Sequence, residues 1–251
     1  MKSFGFIAAI AFILSPSPSQ AQGRSCASVE HEAERYIVCT VDLKVQRLEL
    51  FWRAPNGEPF GSLSSLNRHL QGRGDKPLFS MNAGMYHAEL DPVGLYVENG
   101  RERVKASTSN GPGNFHLKPN GVFFVANGKA GVMETGQFLR RGPKPDIATQ
   151  SGPMLVINNK LHPKFPNEGV SRKVRNGVGV KNGDTVIFAI SEGPVTFTAF
   201  AKLFRDTLET PNALFLDGSV SSVTAPGVER TGFRSLGPMI VAFERSRNSN
   251  R

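Results

Sequence analysis

Short apolar or alternating runs, broken by Asn-Gly pairs, recur along most of this chain and predict strands far more often than helices. The pairs fall at 56–57, 99–100, 110–111, 120–121, 127–128, 176–177 and 182–183. Asn and Gly tolerate positive φ, which the two-residue hairpin turn requires at both central positions. The pattern predicts strands over 36–43, 47–52, 78–81, 94–98, 101–105, 122–126, 131–134, 154–157, 177–180, 185–190, 213–216 and 238–243. Hairpins are expected at 99–100, 127–128 and 182–183. An apolar stripe of Phe197, Phe200, Leu203, Phe204 and Leu208 predicts a helix over 197–208, started by Thr196 as N-cap and stopped before Pro211. A shorter helix over 63–70 ends at Gly72. The tail over 245–251 is polar, has nothing to bury and is expected to fray. With no internal repeat and no break in composition, the expected fold is a single α+β, strand-rich domain with mixed or antiparallel sheets and a few packed helices.

The N-terminal segment carries Lys2, an apolar run over 4–14 and a small-residue end, Ser19-Gln20-Ala21. Those features predict a secretory signal peptide over 1–21, leaving a domain over 22–251 that is periplasmic or secreted. The apolar run is too short to cross a hydrocarbon core of ~30 Å, so the chain is not expected to span a membrane. Cys26 and Cys39 are the only cysteines, and in an oxidising compartment an even pair favours a disulfide, which ties the N-terminal arm to the first strand. The formal net charge is +9, and loss of Lys2 leaves 29 − 21 = +8. This surplus suits a polyanionic partner. The basic residues are scattered and not interleaved with aromatics, which argues against nucleic acid and makes most of them a solvated face.

Several chemistries are absent: no G-x-S-x-G elbow, no S-x-x-K, no phosphate- or dinucleotide-binding glycine pattern. His31-Glu32-Ala33-Glu34-Arg35 lacks the second histidine of a zinc helix and reads as an exposed N-terminal segment. Asp, Asn and Ser oxygens in the polar segments leave a hard cation open as an alternative, but they form no compact ligand loop, and the expectation is neither a metal nor a cofactor. Three polar segments stand out instead: Ser80-Met81-Asn82-Ala83-Gly84, Thr149-Gln150-Ser151-Gly152 and Leu216-Asp217-Gly218-Ser219. Each reads as a buried strand delivering small and hydrogen-bonding residues to one end. Asp217 and Glu192 both stand where an apolar run meets a loop. A carboxylate there must be hydrogen-bonded, paired or functional, because an unpaired buried charge is costly. A turn cap at Asp217 and a surface ion pair at Glu192 remain open alternatives. Arg175 offers a guanidinium fork that grips phosphate in two places. Lys118, before Pro119-Asn120-Gly121, is a second phosphate candidate or a solvated turn lysine. His87 and His116 are candidates for substrate contact, with packing or solvent roles as the alternative.

Together with Asn114-Phe115, Lys118-Pro119-Asn120-Gly121 and Arg175-Asn176-Gly177-Val178-Gly179, these segments resemble the phosphodiester glycosidase family over about 36–243. The resemblance implies an exported hydrolase that cleaves a sugar-1-phosphodiester in an envelope glycan or exopolysaccharide. With Glu192 added from its own place at the end of an apolar run, the residues expected to carry catalysis are Asp217, Glu192 and Arg175. Substrate contacts are assigned to Asn82, Gly84, Lys118, Asn120, Gln150, Ser151, Gly152, Asn176, Gly218 and Ser219. A phosphate monoester departs as a stable anion, so such a site chiefly needs a base or nucleophile at the anomeric carbon and donors that take up charge on the phosphate. The sequence departs from the family's Asp-Gly-Gly-Gly-Ser run at Ser219 and Val220, where backbone approach is less free. That implies a changed substrate or reduced catalysis. Two alternatives remain: a non-catalytic glycan-binding module of the cell envelope, and an esterase-like hydrolase using Ser151 or Ser219. Convergence of Asp217, Glu192 and Arg175 on one pocket favours catalysis, and a carboxylate turned to solvent favours binding. Intact mass before and after reduction is expected to give a mature chain beginning near Gln22 with one disulfide. Two cysteines alkylated without reduction in periplasmic material would overturn the disulfide.

Overall fold

A computed structural model of the chain describes residues 25–165 and 171–245. The expected signal peptide and all but the first residue of the expected fraying tail lie outside them. In chain order the elements are β1 (Cys26–His31), β2 (Glu34–Asp42), β3 (Gln46–Phe51), α1 (Leu63–Gly72), β4 (Phe79–Asn82), β5 (Tyr96–Glu98), β6 (Arg101–Val104), β7 (Gly121–Ala126), β8 (Lys129–Glu134), α2 (Thr135–Arg141) and β9 (Ile147–Ser151). Then follow β10 (Met154–Ile157), β11 (Lys160–Leu161), β12 (Asn176–Lys181), β13 (Thr185–Ser191), α3 (Phe197–Lys202), β14 (Asn212–Asp217), β15 (Val223–Ala225), β16 (Val228–Arg230) and β17 (Met239–Glu244).

The strands form three sheets, ordered β1-β2-β13-β12-β14-β10-β11, β16-β15-β4-β17-β3 and β6-β5-β9-β7-β8. Every pairing is antiparallel. The expected strand-rich fold of antiparallel sheets with a few packed helices is observed; within the α+β expectation the balance is mostly β, without parallel pairs among the described residues.

Side chains alternate faces along a strand, and here both faces are apolar. The inner faces meet in one shared core: Leu214 and Leu216 from the seven-stranded sheet, Ile240 and Ala242 from the second, Phe123 and Val125 from the third. The alternate residues face outward beneath a helix. Ala213 and Phe215 pack under Phe197, Phe200 and Phe204 of α3 and its continuation. Met239, Val241 and Phe243 pack under Leu63, Leu66 and Leu70 of α1, and Val122 and Phe124 pack near Phe138 of α2.

The local signals explain the ends of the elements. Asn99-Gly100, Asn127-Gly128 and Asn182-Gly183 have positive φ at both positions, as the hairpins require. Thr196 caps α3, its Oγ1 accepting from Ala199 N at 3.1 Å, and Ser62 caps α1. The helix expected over 197–208 is α-helical only to Lys202 and then makes a π-helical turn over Leu203–Thr207. The 31–35 segment closes the β1–β2 hairpin, with Glu32 and Ala33 at positive φ. Cys26 and Cys39 are register partners across that hairpin and form the expected disulfide. The sequence pattern missed α2, whose Gly136 hides the periodicity; the Glu134 carboxylate starts it by accepting from Gly136 N and Gln137 N.

Gly84 follows β4 where the second and third sheets approach. A Cβ there would lie 2.5 Å from Thr149 Oγ1 and 2.6 Å from the backbone oxygen of Gln150. Gly84→Ala is expected to cost about 1–3 kcal/mol in chemical denaturation, the scale of overpacking. Gly193, with open space around its Cβ position, is the control: Gly193→Ala should be near neutral. Equal midpoints for both variants would show that the sheets can part at Gly84 without cost.

Candidate active site

The three polar segments meet where the three sheets adjoin. Asn82 ends β4 and Asn176 begins β12, and Asn176 Nδ2 donates to Asn82 O at 3.0 Å and to its Oδ1 at 3.1 Å. Asn82 Oδ1 also accepts from Ser222 N at 2.8 Å. At the end of β9, Ser151 Oγ donates to Leu216 O at 3.0 Å, tying the third sheet to β14. Register places Asn176 opposite Asp217, the last residue of β14. All four polar side chains are buried.

The neighbouring motif residues brace this junction. Gln150 Oε1 accepts from Leu95 N and Ser107 N, while its Nε2 donates to Ser107 O and Thr135 Oγ1. Asn120 Nδ2 donates to Phe115 O, and its Oδ1 accepts from Thr135 Oγ1. Gly152 lies against the Asn120 side chain and Phe115 O, where a Cβ would come within 2.8 Å of both. Asn82, Gln150, Ser151, Asn120 and Asn176 therefore support the site from within, each holding backbone or a neighbour's side chain.

Asp217 is the carboxylate at the surface of this junction. With Gly218 and Ser219 it lines a cleft of about 670 Å³, together with Tyr86, His87, Asn114, His116 and Arg234 among others. Its Oδ1 accepts from Ser219 N at 2.5 Å and Val220 N at 2.9 Å. The Val220 side chain is buried in the apolar cluster under α1. The departure from a glycine run thus anchors the turn that presents Asp217. Burial raises the Asp217 pKa above the ordinary carboxylate value, against the lowering pull of the backbone N–H groups and of Arg234. Burial, with the Asp217 charge added, also holds the Tyr86 phenol well above its usual range. Tyr86 Oη donates to Ser235 O at 2.7 Å, beside Arg234.

Three expected residues stand elsewhere. Glu192 is half-buried on the rim of an adjacent cleft, with its Oε2 3.3 Å from Arg35 Nε and its Oε1 accepting from Ser28 at 3.4 Å. Lys118 Nζ donates to Thr108 O and Asn110 Oδ1, pinning a loop. Arg175 is 1% exposed. Its guanidinium lies 3.6 Å from the Phe197 ring centroid, Nε donates to Val195 O at 2.9 Å, and Nη2 donates to Ser171 O at 3.0 Å. Its Nη1 is 3.5 Å from the Cβ position of Gly218, so this charge lies directly behind the Asp217 turn. Arg175 and Glu192 do not line the Asp217 cleft. Arg234, which does, escaped the sequence reading because it sits in a Gly/Ser loop without periodicity. Beside it Phe233 is fully exposed, which only the structure shows. Among the described residues no group of three or more His, Cys, Asp and Glu is placed to hold a metal ion.

The chain matches the family model for phosphodiester glycosidase over residues 75–241. It is 34% identical over 188 residues to the uncharacterized protein YigE of Escherichia coli K12, covering 75% of this chain and 73% of that one. Its fold is similar to the catalytic domain of zebrafish N-acetylglucosamine-1-phosphodiester alpha-N-acetylglucosaminidase auto-inhibited by its pro-peptide. That match has a TM-score of 0.58 and 13% identity over 88% of this chain and 82% of that one. A hypothetical protein from Synechocystis matches with a TM-score of 0.55 and 15% identity, over 88% of this chain and 61% of that one. At these identities the two structural likenesses are of fold.

Because the folded pKa of Asp217 lies above the unfolded value of ~3.9, ionisation weakens the fold as pH rises through that interval and has no such effect below it. Asp217→Asn is therefore expected to raise Tm at neutral pH, with the gain vanishing as pH falls below ~4. Thermal melts across pH test this. A variant less stable than wild type at neutral pH would make Asp217 a structural cap.

Proposed function

The chain belongs to the phosphodiester glycosidase family, and on that premise we propose that it is an exported hydrolase of sugar-1-phosphodiesters, acting on an envelope glycan or exopolysaccharide in the periplasm or outside the cell. One observation carries the reading. A single carboxylate, Asp217, held at the end of a doubly buried strand with a raised pKa, lines an open cleft with histidines and Arg234. A raised pKa makes a carboxylate a better proton acceptor, so Asp217 is assigned as the base that takes a proton from the water attacking the anomeric carbon. The departing phosphate needs little protonation. It needs positive charge and donors, and Arg234 and the His87 and His116 rings stand in the same cleft to supply them.

A glycosidase that must protonate an alkoxide leaving group uses two carboxylates across the bond. Glu192 faces a different cleft, in an ion pair with Arg35, a placement that by itself favours a binding module. The catalytic reading is kept because a phosphate leaving group needs no second carboxylate to protonate it. Export is supported by the leader-like segment over 1–21 and by the Cys26–Cys39 disulfide, which persists in oxidising compartments. Among the described residues no helix is long and apolar enough to cross a membrane.

Asp217→Asn is expected to lower turnover of a sugar-1-phosphodiester by about 100-fold or more, the scale of a lost general base. Glu192→Gln should change it little. Wild-type kcat/KM should fall on acidification with a limb above ~3.9, since the base must be ionised. Arg234→Gln should impair phosphodiesters more than any uncharged aryl glycoside accepted. Normal turnover by a folded Asp217→Asn would remove the catalytic assignment. Saccharide binding without turnover by the wild type would leave a glycan-binding module.

A further inference from the structure

The 218–220 turn that carries Asp217 into its cleft is also one wall of a second, larger cleft of about 1130 Å³. Gly218, Ser219, Val220 and Arg234 border both, so the two are separated only by this ridge. The second cleft alone exceeds the ~300–1,000 Å³ typical of small-molecule sites. Its basic side chains are Arg35, Lys173, Arg230 and Arg234. Among its acids, Glu192 is held by Arg35 at 3.3 Å and Glu34 by Arg172 at 2.5 Å, which leaves Glu229. Lys173, Arg230 and Arg234 form no ion pair among the described residues. Arg230 Nε is buried without a hydrogen-bond partner. Cations that outnumber the one acid left without an ion pair in this cleft match an anion repeated along a chain, and arginine forks suit phosphate.

Resting on the phosphodiester glycosidase reading, we propose that this second cleft is an aglycone subsite for a polyanionic chain of repeating phosphodiesters. The terminal sugar occupies the Asp217 cleft. The scissile phosphate crosses the ridge at Arg234, and the following phosphates run past Arg230 and Lys173. The substrate class is then a sugar-capped or sugar-phosphate polymer rather than a small sugar phosphodiester. Hydrolysis removes its end unit, and what remains is a chain ending in a phosphate monoester.

Two measurements test this on the mature protein: binding of a short poly(glycerol phosphate) oligomer with no terminal sugar, and turnover of the same oligomer capped by a sugar-1-phosphate beside the sugar-1-phosphate methyl ester. Lys173→Gln/Arg230→Gln is the cleft variant. Arg140→Gln/Arg141→Gln, at the end of α2, is a control with the same loss of charge. Wild type should bind the oligomer in a salt-sensitive manner and show a lower KM for the capped oligomer than for the methyl ester. The cleft variant should lose about 10-fold or more in oligomer affinity, and the KM advantage should collapse, while the control keeps both. Equal losses in the control would reduce the effect to net charge and overturn the subsite, as would unchanged binding in the cleft variant. Cleft-dependent binding without turnover of either ester would sink the glycosidase reading and leave the polyanion site standing. Turnover with no preference for the oligomer would do the reverse.

Discussion

Burial of the central strands of each sheet on both faces is the constraint from which the rest of the structure follows. A strand facing the shared core on one side and a helix on the other disfavours an unpaired polar side chain along its length. Ala213 and Phe215 belong to the α3 side of β14, Leu214 and Leu216 to the central core, and Asp217 comes only where the strand runs out. The same logic puts Asn82 at the end of β4, Ser151 at the end of β9 and Asn176 at the start of β12. The buried strands thus deliver Asn82, Ser151, Asn176 and Asp217 at their ends, and the antiparallel pairing of β12 with β14 brings two of those ends side by side.

At that shared end the backbone groups that no ladder satisfies need partners, and short amide and hydroxyl side chains provide them. Asn176, Asn82 and Ser222 close one such circuit between two sheets, and Ser151 bridges to a third. This interior scaffold leaves the carboxylate at its edge under strong and opposed influences. Desolvation favours the neutral acid; the turn's N–H groups and Arg234 favour the anion. A carboxylate placed so costs the fold stability once it ionises, because burial opposes the charge.

Arg175 illustrates how the same residue type serves different ends. Stacked on Phe197 and bonded to Val195 and Ser171, it holds the segment leading into β12 and lies behind the Gly218 turn. Arg234, on an exposed loop, lines both clefts. The second is open to solvent, while the first is enclosed and supports the backbone around it.

What is encoded locally was legible in the chain. The Asn-Gly hairpins at 99–100, 127–128 and 182–183, the helix starts at Leu63 and Phe197 with the Thr196 cap, the apolar strands and the cysteine pairing all depend on dihedral preference, periodicity or composition over a few residues. The polar segments ending in Asn82, Ser151 and Asp217 were visible for the same reason, as breaks in apolar runs. Yet Asn-Gly at 120–121 and 176–177 is no hairpin turn: those asparagines are buried and bond across sheets, a use that depends on what stands opposite. The order of strands, the pairing of Glu192 with Arg35, the enclosure of Arg175 and the arrival of Arg234 beside Asp217 were decided by tertiary structure alone. A charged side chain takes its role from its long-range neighbours and its exposure to water, and neither is written in the residues adjacent to it.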